Sequence, residues 1–205
     1  PLAYDPSISL RYINHPSQLG NPDLIILPGS KNTIDDLIYL KQQGMEKTIL
    51  SCHKKGSLVM GICGGFQMLG NIIRDPQNVE GKNIESTGLG LFDFETTFES
   101  EKLTRQVELT TVESSIFNAG LTCRGYEIHM GRTTFKTPYL SLFTSPEDEN
   151  PMNFGIINQG GTVLGTYLHG FFDNNPFRQK LLCYIREQRN VDNPTKPFDY
   201  TQFRQ

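Results

Sequence analysis

The chain has 205 residues, enough for one large domain or two small ones and for a substantial buried core. Hydrophobic residues make up 37% and charged residues 20%, the profile of an ordinary globular protein. A formal charge of -3, with acids and bases interspersed, leaves no basic footprint for nucleic acid and no polybasic membrane patch. No apolar run approaches the roughly 18 residues of a membrane-spanning helix, and no signal peptide is visible. The first residues, Pro1-Leu2-Ala3, lack an initiating Met, which suggests an excised domain of a longer protein. Cys52, Cys63, Cys123 and Cys183 are widely spaced, with no C-x-x-C pair. That spacing argues against a zinc site and a disulfide framework, so a reducing cytoplasm and no metal are expected.

In chain order, residues 10–13 read as a short strand and 23–27 as a buried one, a continuous apolar run ended by Pro28-Gly29. Thr33 is the expected N-cap of a helix whose first turn carries Asp35 and Asp36. Gly44 interrupts that helix, and a second one runs on to Gly56. Residues 57–62 form another buried strand, which breaks at Cys63-Gly64-Gly65 before a helix through Leu69. From about 91 to 165 the texture is β, with strands expected at 91–98, 106–112, 125–135 and 154–157. Asn158-Gln159-Gly160-Gly161 marks a hairpin turn, 163–168 a last strand ending at His169, and 176–189 a closing helix. The tail with Pro194 and Pro197 is expected to be mobile. The sum is one α/β domain spanning 1–205, with a mostly parallel central sheet flanked by helices and extra antiparallel strands in its second half.

Gly61-Ile62-Cys63-Gly64-Gly65 lies between a buried strand and a helix, the context that a nucleophile elbow needs. So tight a turn demands small residues two positions either side of the nucleophile, and Gly61 and Gly65 meet that demand. The sulfur would stand at a helix N-terminus, where the dipole favours thiolate and the Gly64 N–H points at a developing oxyanion. A buried core thiol is the competing reading of the motif, since free Cys is often buried.

A thiol nucleophile also needs a base. His15, before Pro16, and His53, beside Lys54 and Lys55, read as surface residues. His129 lies two residues after Glu127 on a strand, so the two share a face and a structural hydrogen bond is expected between them. His169 ends an apolar strand, as Cys63 does, and the carboxyl ends of parallel strands converge on one site. It is therefore the better base. Gly29 or Ser30, after the 23–27 strand, could supply a second oxyanion N–H; the competing reading is a plain capped loop.

Together LPGSKNTIDDL, GICGGFQMLG, GYEIHMGRT and GTYLHGFFDN resemble the triad-type (class I) glutamine amidotransferases, and in particular the C-terminal glutaminase domains of the cobyric acid synthase family. These stretches run from residue 27 to 174, most of the chain. The resemblance implies a flavodoxin-like fold, Cys63 as nucleophile and His169 as catalytic histidine. It implies a role for Gln67 in holding substrate glutamine. Many triad members carry Glu two residues after the histidine; Phe171 stands there here, which leaves a Cys–His dyad whose orienter is open. Glu127 is one candidate for that orienter, and pairing with His129 is its rival role.

The family's glutaminase domain opens with a strand upstream of Pro1, and an ATP-dependent synthetase domain lies further N-terminal. No G-x-x-x-x-G-K-[ST] loop is present, so no cofactor is expected in this domain, with ATP and Mg confined to the synthetase. The implied reaction releases ammonia from glutamine to amidate adenosylcobyrinic acid a,c-diamide, giving cobyric acid in cobalamin biosynthesis. Alternatives are the glutaminase of a cobyrinic acid a,c-diamide synthase or of a peptidoglycan-amidating ligase, a free-standing cysteine hydrolase, and a silent scaffold that only docks a synthetase.

Overall fold

The computed structural model describes residues 1–145, 152, 154–195 and 197–200. In chain order the main elements are β1 (Leu24–Leu27), α1 (Thr33–Gln42), α2 (Met45–Lys54), β2 (Leu58–Ile62), α3 (Gly64–Met68), β3 (Ile72–Arg74) and β4 (Glu85–Thr87). Then come β5 (Phe94–Thr111), β6 (Thr122–Phe135), β7 (Leu140–Ser141), β8 (Phe143–Thr144), β9 (Gly155–Ile157), β10 (Val163–Thr166), β11 (Leu168–His169) and α4 (Asn175–Gln188).

Two sheets organise them. The first runs β1-β2-β10-β9-β7, with β1, β2 and β10 paired in parallel and β9 paired antiparallel to both β10 and β7. The second runs β11-β6-β5-β3-β4, with β8 also on β5, and the β5–β6 hairpin is its longest pairing. This is the expected α/β architecture, parallel at its centre with antiparallel strands following.

The apolar runs of β2 and β10 are continuous because both faces of their sheet are covered. Val59 and Val163 face a core that α1 and α2 close with Leu37 and Ile49. Leu58, Met60 and Leu164 face a second core, closed by Phe177, Leu181 and Ile185 of α4. No helix among the described residues is long and apolar enough to cross a membrane.

Several local expectations change. Residues 10–13 are not a strand. Among the described residues no strand pairs with them, Tyr12 is 92% exposed, and the segment is held instead by the Arg11 guanidinium on the Gln18 and Leu19 carbonyls. An apolar pattern cannot make a strand without a ladder to join. Asn32, not Thr33, is the N-cap of α1, and the Thr33 N–H is taken by Glu80 from 47 residues away. The strands expected at 91–98 and 106–112 are one strand, β5, with its register irregular between Thr97 and Lys102.

The last strand divides at Tyr167, where the chain leaves the first sheet for the second. The described end of the tail is tied to α4. The Phe198 carbonyl accepts from Arg178 at 3.0 Å and from Gln179 at 2.8 Å, and the Tyr200 N–H donates to Asn175. Residues 201–205 lie outside the described residues. The turn at 158–161 does join two antiparallel strands, with the Asn158 carboxamide oxygen accepting from the N–H groups of Thr162 and Val163.

Candidate active site

β2 delivers Cys63 into a backbone conformation of φ 52°, ψ -113°. Positive φ is uncommon for a residue with a side chain and costs of order 1–3 kcal/mol, so the surroundings must enforce it. They do so by close approach. A Cβ on Gly61 would lie 2.5 Å from the Gly65 carbonyl oxygen, and one on Gly65 would lie 2.0 Å from the Leu27 carbonyl oxygen. The Cys63 N–H donates to the Thr166 carbonyl at 2.8 Å, and its own carbonyl accepts from the Gln67 N–H at 3.1 Å. The elbow is thus fixed between β10 on one side and α3 on the other.

The thiol is partly buried and donates to the backbone carbonyl of Ile128 on β6 at 3.1 Å. Burial pushes it above the usual thiol range; the Gly64 N–H pulls it down, the Glu80 charge pushes it up, and Lys102 pulls it down. The resting residue is a thiol, and its proton must be removed for attack.

His169 ends β11, whose pairing with β6 sets Leu168 against Glu127 and His169 against Tyr126. Its Nε2 lies 3.2 Å from the same Ile128 carbonyl oxygen that Cys63 contacts. A carbonyl only accepts, so the contact calls for a proton on Nε2. The sulfur and the imidazole nitrogen therefore share one acceptor and cannot be further apart than those two bonds laid end to end. For His169 to take the thiol proton, both must leave Ile128, and the ring must present an unprotonated nitrogen to the sulfur, either by turning Nδ1 toward it or by moving its proton from Nε2 to Nδ1.

Gly29 lies against both groups. A Cβ placed on it would be 3.6 Å from the Cys63 Cβ and 3.7 Å from the His169 Cε1. The Ser30 amide nitrogen lies 2.9 Å from where a Cβ on Gly64 would stand, so the 29–30 loop runs directly over the elbow. The Ser30 hydroxyl donates to the Asp36 carboxylate and accepts from the Asn32 N–H at 3.0 Å, which pins that loop. The structure thus brings Gly29, Ser30, Cys63, Gly64 and His169 together, while Gly65 serves the packing of the elbow. Gln67 is 2% exposed, and its side-chain amide donates to the Met130 carbonyl at 3.0 Å.

Glu127 and His129 stand apart from the His169 ring. One Glu127 oxygen bonds His129 Nε2 at 3.0 Å and the other accepts from Arg105 Nε at 2.6 Å. The His129 ring stacks on Tyr167, with centroids 3.9 Å apart, and its Nδ1 lies 3.2 Å from the Gly131 carbonyl. Among the described residues the Glu127 carboxylate bonds His129 and Arg105 and not the His169 ring. Strand pairing and the Ile128 carbonyl hold that ring instead.

Clefts of about 630 and 890 Å³ lie beside β6, the first lined by Lys102, Arg105 and His129, the second by Tyr126 and Gly170. Neither is lined by Cys63, whose sulfur meets β6 at the Ile128 carbonyl. Sequence reasoning missed the Ile128 carbonyl, because a backbone acceptor leaves no signature in residue type. It also missed Glu80 and Lys102, whose charges act on Cys63 from distant segments. For Glu80 a signal existed in Asp75-Pro76-Gln77-Asn78, a sequence that favours a built turn.

The CobB/CobQ-like glutamine amidotransferase domain model matches residues 1–177. A cobyric acid synthase of Dehalococcoides mccartyi is 43% identical over 197 residues, covering 94% of this chain and 39% of the relative. One from Clostridium novyi is 42% identical over 208 residues, covering all of this chain and 40% of the relative. The chain therefore spans about two fifths of the curated relatives it matches. Among solved structures, PurLQS from Thermotoga maritima superposes with a TM-score of 0.63 at 20% identity, over 87% of this chain and 85% of that one. A structure described as a glutamine amidotransferase superposes with a TM-score of 0.57 at 16% identity, over 90% of this chain and 88% of that one. These two likenesses support the fold. By the extent of the family match and the identity to its relatives, the chain belongs to the CobB/CobQ-like glutamine amidotransferase domain family.

Proposed function

We propose that this chain is a glutaminase domain that hydrolyses glutamine to glutamate and ammonia through Cys63 and His169. The observation that carries the reading is the convergence of a strained elbow cysteine and a strand-end histidine on one carbonyl oxygen, that of Ile128. His169 takes the thiol proton, and the sulfur attacks the side-chain carbonyl of glutamine. The oxyanion is met by the N–H of Gly64 and by one from the Gly29–Ser30 loop. Ammonia leaves with a proton returned by His169, and water then cleaves the thioester to glutamate. Gln67 supports the substrate side of the elbow.

In the relatives named cobyric acid synthase this domain is the smaller part of the chain. We assign the use of the ammonia, amidation of adenosylcobyrinic acid a,c-diamide with ATP and Mg, to a synthetase region beyond the span matched here. The proposed setting is the cytoplasm.

The test is release of ammonia and glutamate from glutamine, with a simple ester as control. Cys63→Ala should lower glutamine hydrolysis by at least about 10³-fold, as loss of a nucleophile does elsewhere. Ester cleavage without glutamine turnover would point to a general cysteine hydrolase. A correctly folded protein, paired with its synthetase and still inert toward glutamine, would be a docking scaffold.

A further inference from the structure

The turn between β3 and β4 makes a clamp on the loop that overhangs the elbow. Asp75 is fully buried and accepts from the N–H groups of Val79 at 2.8 Å and Glu80 at 2.9 Å, while its own N–H donates to the Ile84 carbonyl at 2.7 Å. Asn78 takes φ 53° to close the turn. A carboxylate with two backbone donors makes a rigid bracket.

Three contacts cross from this bracket to the start of α1. Glu80 Oε2 accepts the Thr33 N–H at 2.7 Å, the Asn83 amide donates to Asp35, and Gly81 packs so closely on Asn32 that a Cβ there would lie 3.0 Å from its amide oxygen. On its other side, Thr33 touches the elbow itself, its Oγ1 lying 2.9 Å from where a Cβ on Gly64 would stand. The segment from Gly29 to Thr33 is therefore caught between Gly64 and Glu80.

We infer that Glu80 is a positioning residue of the glutaminase site, holding the Gly29–Ser30 loop in register over Gly64 so that its N–H meets the oxyanion. This rests on the glutaminase reading above. A neutral side chain could serve as acceptor for Thr33, yet a carboxylate stands in a corner already occupied by Asp75 and Asp36. Burial, with help from those two charges, raises Glu80 above the usual carboxylate range, while the bond from Thr33 opposes the rise. The same charge acts on Cys63 against the opposing effect of Lys102, and His169 and Tyr167 are further titratable groups facing the site. Glu80 thus has two separable effects, one through the loop and one through its field.

The experiment compares wild type, Glu80→Gln and Glu80→Ala in the full-length protein. It measures glutaminase kcat and KM, the pH dependence of Cys63 alkylation by iodoacetamide, and thermal melting as a control on folding. Glu80→Gln keeps an acceptor for Thr33 and removes the charge. It should hold kcat within about tenfold of wild type and move Cys63 alkylation to lower pH. Glu80→Ala loses both and should lower kcat by about 10²-fold, the scale of a misplaced oxyanion donor, with KM changed far less.

A folded Glu80→Ala protein with kcat within threefold of wild type would overturn the proposal, as would a loss confined to KM. An unmoved alkylation profile in Glu80→Gln would remove the field effect, and if the alanine protein fails to fold, Glu80→Ser, too short to reach the Thr33 N–H, decides the loop effect by the same kcat criterion. A wild-type protein that releases no ammonia from glutamine would instead fail the glutaminase reading. The alkylation profile, which needs no turnover, would still judge the influence of Glu80 on Cys63.

Discussion

Cys63 occupies a backbone region that most side chains avoid, and its thiol is raised by burial. The raised thiol makes it slow toward a small alkylating reagent at neutral pH, with the rate rising as pH climbs above the ordinary thiol range. A glutamine-mimicking electrophile such as diazo-oxo-norleucine should differ, on the proposed mechanism, because it engages His169 and the sulfur as substrate would. It is expected to label Cys63 alone at neutral pH, read by mass spectrometry of the modified peptides. Cys123 is buried and pushed up to about 12, and Cys52 is buried with its thiol on the Gly20 carbonyl. Label spread over several cysteines, or surviving Cys63→Ser, would defeat the assignment. Glu127 has the opposite profile, since its bonds go to Arg105 and His129. Glu127→Gln is expected to keep glutaminase activity within about tenfold while lowering unfolding stability by roughly 1–3 kcal/mol, the scale of a weakened buried polar network. A variant of unchanged stability that loses catalysis would return Glu127 to the catalytic machinery.

At the scale of elements, the elbow and the division of the last strand carry the site. Gly65→Val would drive a side chain into the Leu27 and Pro28 carbonyls, which are backbone and cannot yield cheaply. A cost at or above the roughly 1–3 kcal/mol of ordinary overpacking is expected in denaturant melts, together with loss of glutaminase activity. Thr166 supports the break at Tyr167. Fully buried, its hydroxyl donates to the Phe154 carbonyl at 2.6 Å and accepts the Leu168 N–H at 2.9 Å where the ladder is interrupted. Thr166→Val keeps the shape but orphans the Leu168 N–H, while the Phe154 carbonyl keeps the Tyr167 N–H at 3.0 Å, so a loss of about 1–3 kcal/mol is expected, with kcat reduced as β11 and His169 shift. Wild-type stability and rate in that variant would show that the hydroxyl supports neither.

These elements also show where sequence reading succeeds. Gly61, Gly65 and the apolar run before Cys63 state the elbow locally, and His169 at a strand end places the second group. The clamp by Glu80, the shared Ile128 carbonyl and the break at Thr166 depend on partners that local pattern does not contain. Residues 10–13 have strand composition, yet composition does not reveal that no described strand pairs with them.

Over the whole molecule, the two cores lie on opposite faces of the same strands. Val59 and Val163 point into one, and Leu58, Met60 and Leu164 into the other, so neither core can melt while its neighbour keeps β2 and β10 in place. One cooperative transition is expected when far-UV circular dichroism and glutaminase activity are followed together in denaturant. Each core also holds an acid that must stay neutral when folded. Tyr167, in the first, and Cys123, in the second, are both pushed up to about 12, chiefly by burial. The unfolded chain ionises these groups near pH 8.5 for the thiol and 10 for the phenol, well before the folded protein does. Their neutral forms therefore contribute full stability below about pH 8.5. That contribution declines as pH rises toward 12, because the unfolded state gives up its protons first. At 1.36 kcal/mol per unit the loss is at most of order 5 kcal/mol for the thiol and 3 kcal/mol for the phenol. Cys123→Ala removes the thiol's share, so its unfolding free energy, though lower at neutral pH from the lost packing, should fall less steeply between pH 9 and 12. Parallel curves for the two proteins across that range would mean that burial of Cys123 does not govern alkaline stability, and two separated transitions would mean that the cores are not coupled through β2 and β10.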